Sequence, residues 1–348
     1  MSKVILILIL VAAALAALAL AITRNGKRAV PQGDGVVHVP GGDFEGFTLP
    51  DYARSEVTAD YKSYFVEVEP GIKVHVLEVG EGYPVLLQHG NPTSGFLYRK
   101  VAAELPTDRV RLIMPTLVGL GFSTKIPASE HTLARHMRWL NGVLGALQLR
   151  ELIYVGQDWG GPIGMGALAL SPGLLRGAVL LNTGLSAPTE RRSISRVHRL
   201  VSTPVLGELI TETFDRLFSG LPDIQGDPAS MPAEIIELYR RPLVDSGNRK
   251  APLAMMRMVP DGPDHPSAER MRFIARYVAS LDIPAEIVWG MNDPILGSLL
   301  VNMAVNFPDA AVTETAAGHF LQEEVPQDIA AAIVRVLDAV ERDASSRP

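Results

Sequence analysis

The chain contains no cysteine in 348 residues, so disulfides, thiol nucleophiles and cysteine metal ligands are all excluded. Compartment stays open, because an exported protein can dispense with disulfides. A basic surplus is also missing: the net charge is −6 and the isoelectric point about 5.8, without the electrostatic footprint of a nucleic-acid binder. No glycine-rich phosphate loop follows the first strand pattern, so no nucleotide is implied. Asp261-Gly262-Pro263-Asp264-His265 gathers three potential ligands, but it lacks metal spacing and reads as a loop. What is present is an apolar content of 47%. At this length it supports one large domain with an insertion, or two small ones.

Long apolar runs are absent except for one. Val4 to Ile22 is unbroken, with Lys3 before it and Arg24, Lys27 and Arg28 after it. About 20 apolar residues span a bilayer, whereas the core of a cleaved signal is roughly 7–15. Residues 1–24 are therefore expected to be a retained membrane anchor, with cleavage near Ala19-Leu20-Ala21 as the alternative. The flanking charges nearly balance and leave the orientation open. Residues 25–46, rich in Gly, Pro and polar side chains, read as a linker. The hydrophilic tail after Arg342 reads as frayed.

Tyr64 to Val68 and Lys73 to Val79 alternate apolar and polar about Pro70-Gly71, the pattern of a hairpin. Apolar runs at Pro84–Gln88, Val110–Met114, Leu152–Val155 and Gly177–Leu181 read as buried strands. His131 to Leu147 has helical periodicity. Strand signals stop between Asn182 and Ala285, then resume at Ile287-Val288-Trp289 and Ala311-Val312-Thr313, followed by a helix over Gln327–Val340. Strands alternating with helices predict an α/β fold with a mainly parallel sheet. Sites in such sheets lie at the carboxyl ends of the strands.

One strand end has a distinctive turn, Gly156-Gln157-Asp158-Trp159-Gly160-Gly161. Strand, Gly-x-Asp-x-Gly and helix make a nucleophile elbow, with glycines where two backbones pass too close for a Cβ. A structural turn capped by an aspartate is the plain alternative. As a nucleophile, a carboxylate suits displacement at saturated carbon, giving an alkyl ester on the enzyme. Other strand ends carry Asn91, Asp293 and His319. The order nucleophile, acid, histidine is that of α/β-hydrolases.

From about Phe47 to Val340 the chain resembles an α/β-hydrolase, and within that group the haloalkane dehalogenases. The residues that carry the likeness are His89-Gly90-Asn91-Pro92-Thr93-Ser94 with Leu97-Tyr98-Arg99, the elbow, and Gly318-His319-Phe320-Leu321-Gln322-Glu323. The resemblance implies a first core part over 47–184, a helical cap over 185–283 and a second core part over 284–343. It implies that Asp158 displaces halide, that His319 activates water against the resulting ester, and that Asp293 orients His319. Asn91 and Trp159 would hold the halide with side-chain N–H groups and form the oxyanion hole with backbone N–H groups. No cofactor or metal is implied; the partners are a small apolar halogenated substrate and water.

The acid position used in one branch of the family falls at Asn182 here, which leaves Asp293. Some relatives hold halide with a tryptophan from the cap, but Trp139, Trp159 and Trp289 all lie in core segments. Pro115-Thr116 replaces a common Pro-Asp and reads as a structural difference. His89 is expected to shape its loop. Leu217-Phe218 and Met255-Met256-Met258 are candidates for the pocket lining, although such stripes are usually core. Two other functions share these residues: an epoxide hydrolase with Tyr239 or Tyr277 as the acid, and a membrane-held binding protein without turnover.

Overall fold

The computed structural model describes residues 24–191 and 195–346, together with eight positions of the N-terminal run, among them Ile5, Ile7, Val11, Leu15 and Leu18. These five are helical and exposed. Among the described residues no helix is long and apolar enough to cross a membrane. The expected anchor and its alternative cleavage site otherwise lie outside the described residues.

Ten strands form a single sheet: β1 (Val36–Val39), β2 (Gly42–Gly46), β3 (Lys62–Glu69), β4 (Ile72–Val79), β5 (Tyr83–Gln88), β6 (Val110–Pro115), β7 (Leu152–Gly156), β8 (Leu175–Leu181), β9 (Ala285–Gly290) and β10 (Ala311–Thr315). Their order is β1-β2-β3-β4-β6-β5-β7-β8-β9-β10. β1 to β4 and the β4–β6 pair are antiparallel, and every pair from β6 to β10 is parallel. The central parallel strands are apolar along their length because both faces are covered: Val85, Leu86, Leu87, Ile153, Val155, Val179 and Leu180 are all fully buried.

The main helices are α1 (Arg99–Ala103), α2 (Leu133–Ala146), α3 (Gly160–Leu170), α4 (Ala233–Asp245), α5 (Ala251–Met256), α6 (Ala268–Val278), α7 (Leu300–Asn306) and α8 (Pro326–Ser346). α2 starts at Thr132, whose hydroxyl accepts the Arg135 N–H at 3.3 Å, the usual N-cap arrangement. Between β8 and β9 the described residues contain helices and loops but no strand. This insertion includes α4, α5 and α6.

Residues 25–46 differ from the linker expected of them. Ala29 and Lys125 exchange backbone hydrogen bonds of 3.0 and 2.8 Å, and Ala128 N–H donates to the Asn25 carbonyl at 2.6 Å. β1 and β2 then join the sheet. The glycines that suggested slack instead serve a tight hairpin turn, Gly41 and Gly42 having φ of 115° and 148°, values open to glycine and costly for other residues.

A buried ionic cluster ties the insertion to the core. The Arg99 guanidinium on α1 donates to both carboxylate oxygens of Glu323, at 2.5 and 3.1 Å. Lys100 Nζ lies 3.0 Å from Glu323, and Tyr239 of α4 donates its hydroxyl to the same carboxylate at 3.2 Å. The Glu323 carboxylate is fully buried and the Arg99 side chain is 6% exposed. Removing one member strands a buried charge, a loss of about 3–5 kcal/mol. Because Glu56 also pairs with Arg99 at 3.1 Å, Glu323→Ala is expected near the low end of that range. Thermal unfolding should show a drop of several degrees, and an unchanged midpoint would refute the assignment.

Candidate active site

Asp158 stands where β7 turns into α3, and its φ of 49° lies in the left-handed region. An L residue there is strained, although aspartate tolerates it better than most. Close neighbours hold the turn: Gly160 packs on the Gln88 carbonyl and Gly161 on Thr183, with no room for a Cβ. Asp158 N–H donates to the Asn182 carbonyl at 2.9 Å, and the Thr183 hydroxyl donates to the Asp158 carbonyl at 2.6 Å. Gly90 is equally constrained, since a Cβ there would strike the Asp158 side chain.

Asp293 and His319 come from the loops after β9 and β10. His319 Nδ1–H donates to Asp293 Oδ2 at 2.9 Å, and His319 Nε2 lies 3.9 Å from Asp158 Oδ2. The imidazole is thus oriented by one carboxylate and presented to the other. Burial works against ionisation of Asp293, but the hydrogen bond and charge of His319 outweigh it, and its acidity is held below the usual range. Burial likewise disfavours a charged His319, yet Asp293 and then Asp158 raise its pKa above 6.5. Burial pushes Asp158 upward, against the pull of His319 and of the Asn91 and Trp159 backbone N–H groups.

The loop after β5 meets the Asp158 carboxylate from another side without lining the cavity. Asn91 N–H donates to Asp158 Oδ1 at 2.8 Å. The Asn91 side-chain amide donates to the Pro252 carbonyl of α5 at 3.1 Å, so this residue also touches the insertion. Trp159 is almost buried and faces the cavity with its neighbour Asp158. His89 braces the loop: Nδ1–H donates to the Gly90 carbonyl at 2.7 Å and Nε2 accepts Leu117 N–H at 2.9 Å. Burial holds its pKa down at about 3, so it stays neutral.

The cavity above Asp158 has a volume of about 180 Å³. Its walls include Trp159, Pro162, Val259, Met271, Leu296 and Leu299. Val259 and Met271 come from the insertion, whereas the Leu217-Phe218 and Met255-Met256-Met258 stripes are not in the wall. Phe218, Met255 and Met258 are core residues instead. Tyr239 is tied to Glu323, and neither it nor Tyr277 lines the cavity. Thr116 fills a structural place, accepting Gly95 N–H at 3.1 Å through its hydroxyl.

Several supporting residues have no sequence signal of their own. Asn182 donates to Asp293 Oδ2 at 2.9 Å and accepts Gly290 N–H at 2.7 Å, fixing both the acid and its strand end. Gln157 donates to the His319 carbonyl at 3.0 Å. Ile224 and Gln225, from the insertion, accept the N–H groups of His319 and Phe320, each at 2.9 Å. Only Asn182 carried a hint, as the occupant of a rival acid position. Among the described residues no cluster suited to a metal ion is present.

Residues 83–201 match the family model described as the alpha/beta hydrolase fold. Over 272 residues the chain is 31% identical to haloalkane dehalogenase 2 of Mycobacterium tuberculosis, covering 75% of this chain and 90% of the relative. The chain belongs to the haloalkane dehalogenase family. A second relative, the cis-3-alkyl-4-alkyloxetan-2-one decarboxylase of Shewanella oneidensis, is 30% identical over 278 residues, 77% of this chain and 86% of the relative. The crystal structure of the haloalkane dehalogenase DatA from Agrobacterium tumefaciens superposes with a TM-score of 0.71 at 27% identity, covering 83% and 99% of the two chains. The elbow, the acid loop and the histidine loop of this family member therefore stand on the expected fold, at the carboxyl ends of β7, β9 and β10.

The opposing causes acting on His319 give a test of signs. In the intact protein the imidazole should titrate above 6.5, followed by nitrogen NMR. In Asp293→Asn the first raising cause disappears while burial remains, so the midpoint should fall. A midpoint that does not move, or that rises, would remove Asp293 as the partner controlling His319.

Proposed function

We propose that the chain hydrolyses small apolar haloalkanes to an alcohol and halide, through an alkyl ester on Asp158. The observation that carries this reading is a carboxylate at the elbow, under an apolar cavity, with His319 Nε2 3.9 Å away and backed by Asp293. Asp158 attacks the halogen-bearing carbon in line, and the carbon–halogen electron pair leaves as halide. The Trp159 indole N–H and the Asn91 amide N–H not given to Pro252 stabilise that charge. His319 then takes a proton from water, whose oxygen attacks the Asp158 carboxyl carbon. The backbone N–H groups of Asn91 and Trp159 receive the oxyanion, and alcohol departs as the carboxylate is regenerated. Asp293 stabilises the imidazolium. Residues 185–283 act as the cap that keeps bulk water from the first step.

An epoxide hydrolase needs an acid at the opening oxygen, and the two cap tyrosines lie away from the cavity wall. A binding protein without turnover has no need of the Asn182–Asp293–His319 chain. The oxetanone decarboxylase relative supports one further reading. There Asp158 would displace the ring oxygen at saturated carbon, and loss of carbon dioxide would form an alkene as the bond to Asp158 breaks. No water enters, so His319 would be dispensable.

Bromide release from brominated alkanes is the first measurement, and Asp158→Ala should abolish it. His319→Gln should release about one equivalent and then stall, gaining the mass of one alkyl group, with turnover down by a factor on the order of 10²–10⁴. Absence of bromide from the intact protein would sink the reading. Undiminished conversion of an oxetanone by His319→Gln would move it to the decarboxylase.

We further infer that the run from Val4 to Ile22 tethers the enzyme to a membrane, which its length and apolar character support. Two residues, Thr23 and Arg24, separate Ile22 from Asn25, three chain steps that reach about 10 Å, and Asn25 is bonded to Ala128 and Ser129. The catalytic core would consequently sit close to the bilayer. The full chain should sediment with vesicles in high salt while residues 25–348 stay in solution. Recovery of the full chain in the supernatant would refute the tether.

A further inference from the structure

Beneath the loop that carries Asn91, three buried polar atoms have no protein partner: Gln88 Oε1, His136 Nδ1 and Trp139 Nε1. They come from two elements, the end of β5 and two consecutive turns of α2. All three residues line one small internal void, with Val74, Pro115, Leu117, Val118 and Leu140 among its other walls. Leaving one such group dry costs about 1–3 kcal/mol. Three around a single void ask for a shared partner.

The surroundings fix which way each group points. Gln88 Nε2 donates to the His89 and Pro115 carbonyls at 3.3 and 3.2 Å, so its oxygen is turned toward the remaining side. His136 Nε2 faces His131 Nδ1 at 3.1 Å, leaving Nδ1 for the void. The Trp139 indole packs edge-on against His136, with ring centroids 5.1 Å apart. The void offers one obligatory donor, the indole N–H, one obligatory acceptor, the amide oxygen, and an imidazole nitrogen whose tautomer adjusts. Its volume is about 10 Å³, close to the smallest space that holds one water, about 10–15 Å³. An organic ligand does not fit, and burial keeps His136 well below its ordinary pKa, so an anion has no cation to meet.

We propose that this void is a binding site for a single structural water, which accepts from Trp139 Nε1–H, donates to Gln88 Oε1 and completes its coordination at His136 Nδ1. The water joins α2 to the end of β5. Gln88 also accepts Gln157 N–H at 3.2 Å and the Tyr98 hydroxyl at 3.0 Å through its backbone carbonyl. The water therefore braces the residue from which the loop to Asn91 departs and against which the elbow is hydrogen-bonded.

The test is a water-selective NOE experiment on the full chain, with the Trp139 indole proton assigned by its loss in Trp139→Phe. A cross-peak from a long-lived water at that proton is expected. An indole proton that is visible and slowly exchanging but gives no water cross-peak would overturn the site. A second measurement is the thermal midpoint of Val118→Ile, which adds a methyl group at the void wall: displacing the water should lower it by a few degrees, and a raised midpoint would count against the water. Because overpacking also lowers a midpoint, a crystal structure of the intact protein decides between the two. Density within hydrogen-bond distance of all three atoms upholds the proposal, and an empty void refutes it.

Discussion

Everything at this site depends on the left-handed turn at Asp158. The φ of 49° costs on the order of 1–3 kcal/mol for a residue with a side chain. That cost is met by contacts from distant parts of the chain: the Asn182 carbonyl, the Thr183 hydroxyl, and the Gln88 carbonyl and Thr183 side chain against which Gly160 and Gly161 pack. The strain aims the carboxylate upward between the Asn91 loop and His319. A relaxed helical φ would turn it away from both.

Electrostatics then separates two carboxylates by environment. Asp293 is surrounded by donors from His319, Asn182 and the Ile295 backbone, which favour its ionised form. Asp158 is more weakly supported, and its burial raises its energy as an anion. A poorly solvated carboxylate with few donors is the better nucleophile, and one saturated with donors is the better orienting group. The difference follows from hydrogen-bond count and burial, because the two residues are chemically the same.

The insertion contributes more than a roof. Ile224 and Gln225 hold the backbone on either side of the His319–Phe320 peptide, Tyr239 reaches Glu323 four residues beyond His319, and Pro252 takes the Asn91 amide. Both loops that face Asp158 are therefore tied to the segment above them. A shift of that segment would be felt at His319 and at the Asn91 side-chain amide together.

What could be read from the sequence alone was local. Period-two alternation marked the β3–β4 hairpin, continuous apolar runs marked the buried strands, and glycines at fixed offsets marked the elbow, because each pattern is written within a few adjacent residues. The order of Asp158, Asp293 and His319 spans far more of the chain, but it could be read because each of the three sits in a short motif of its own. Tertiary structure alone decided that residues 25–46 are docked and paired, that Asn182 supports the acid, and that Leu296 and Leu299 rather than the methionine stripe face the cavity. It also decided that Tyr239 belongs to a buried ionic cluster. Those outcomes depend on which surfaces meet across long sequence separations, and composition and periodicity carry no record of the partner on the other side.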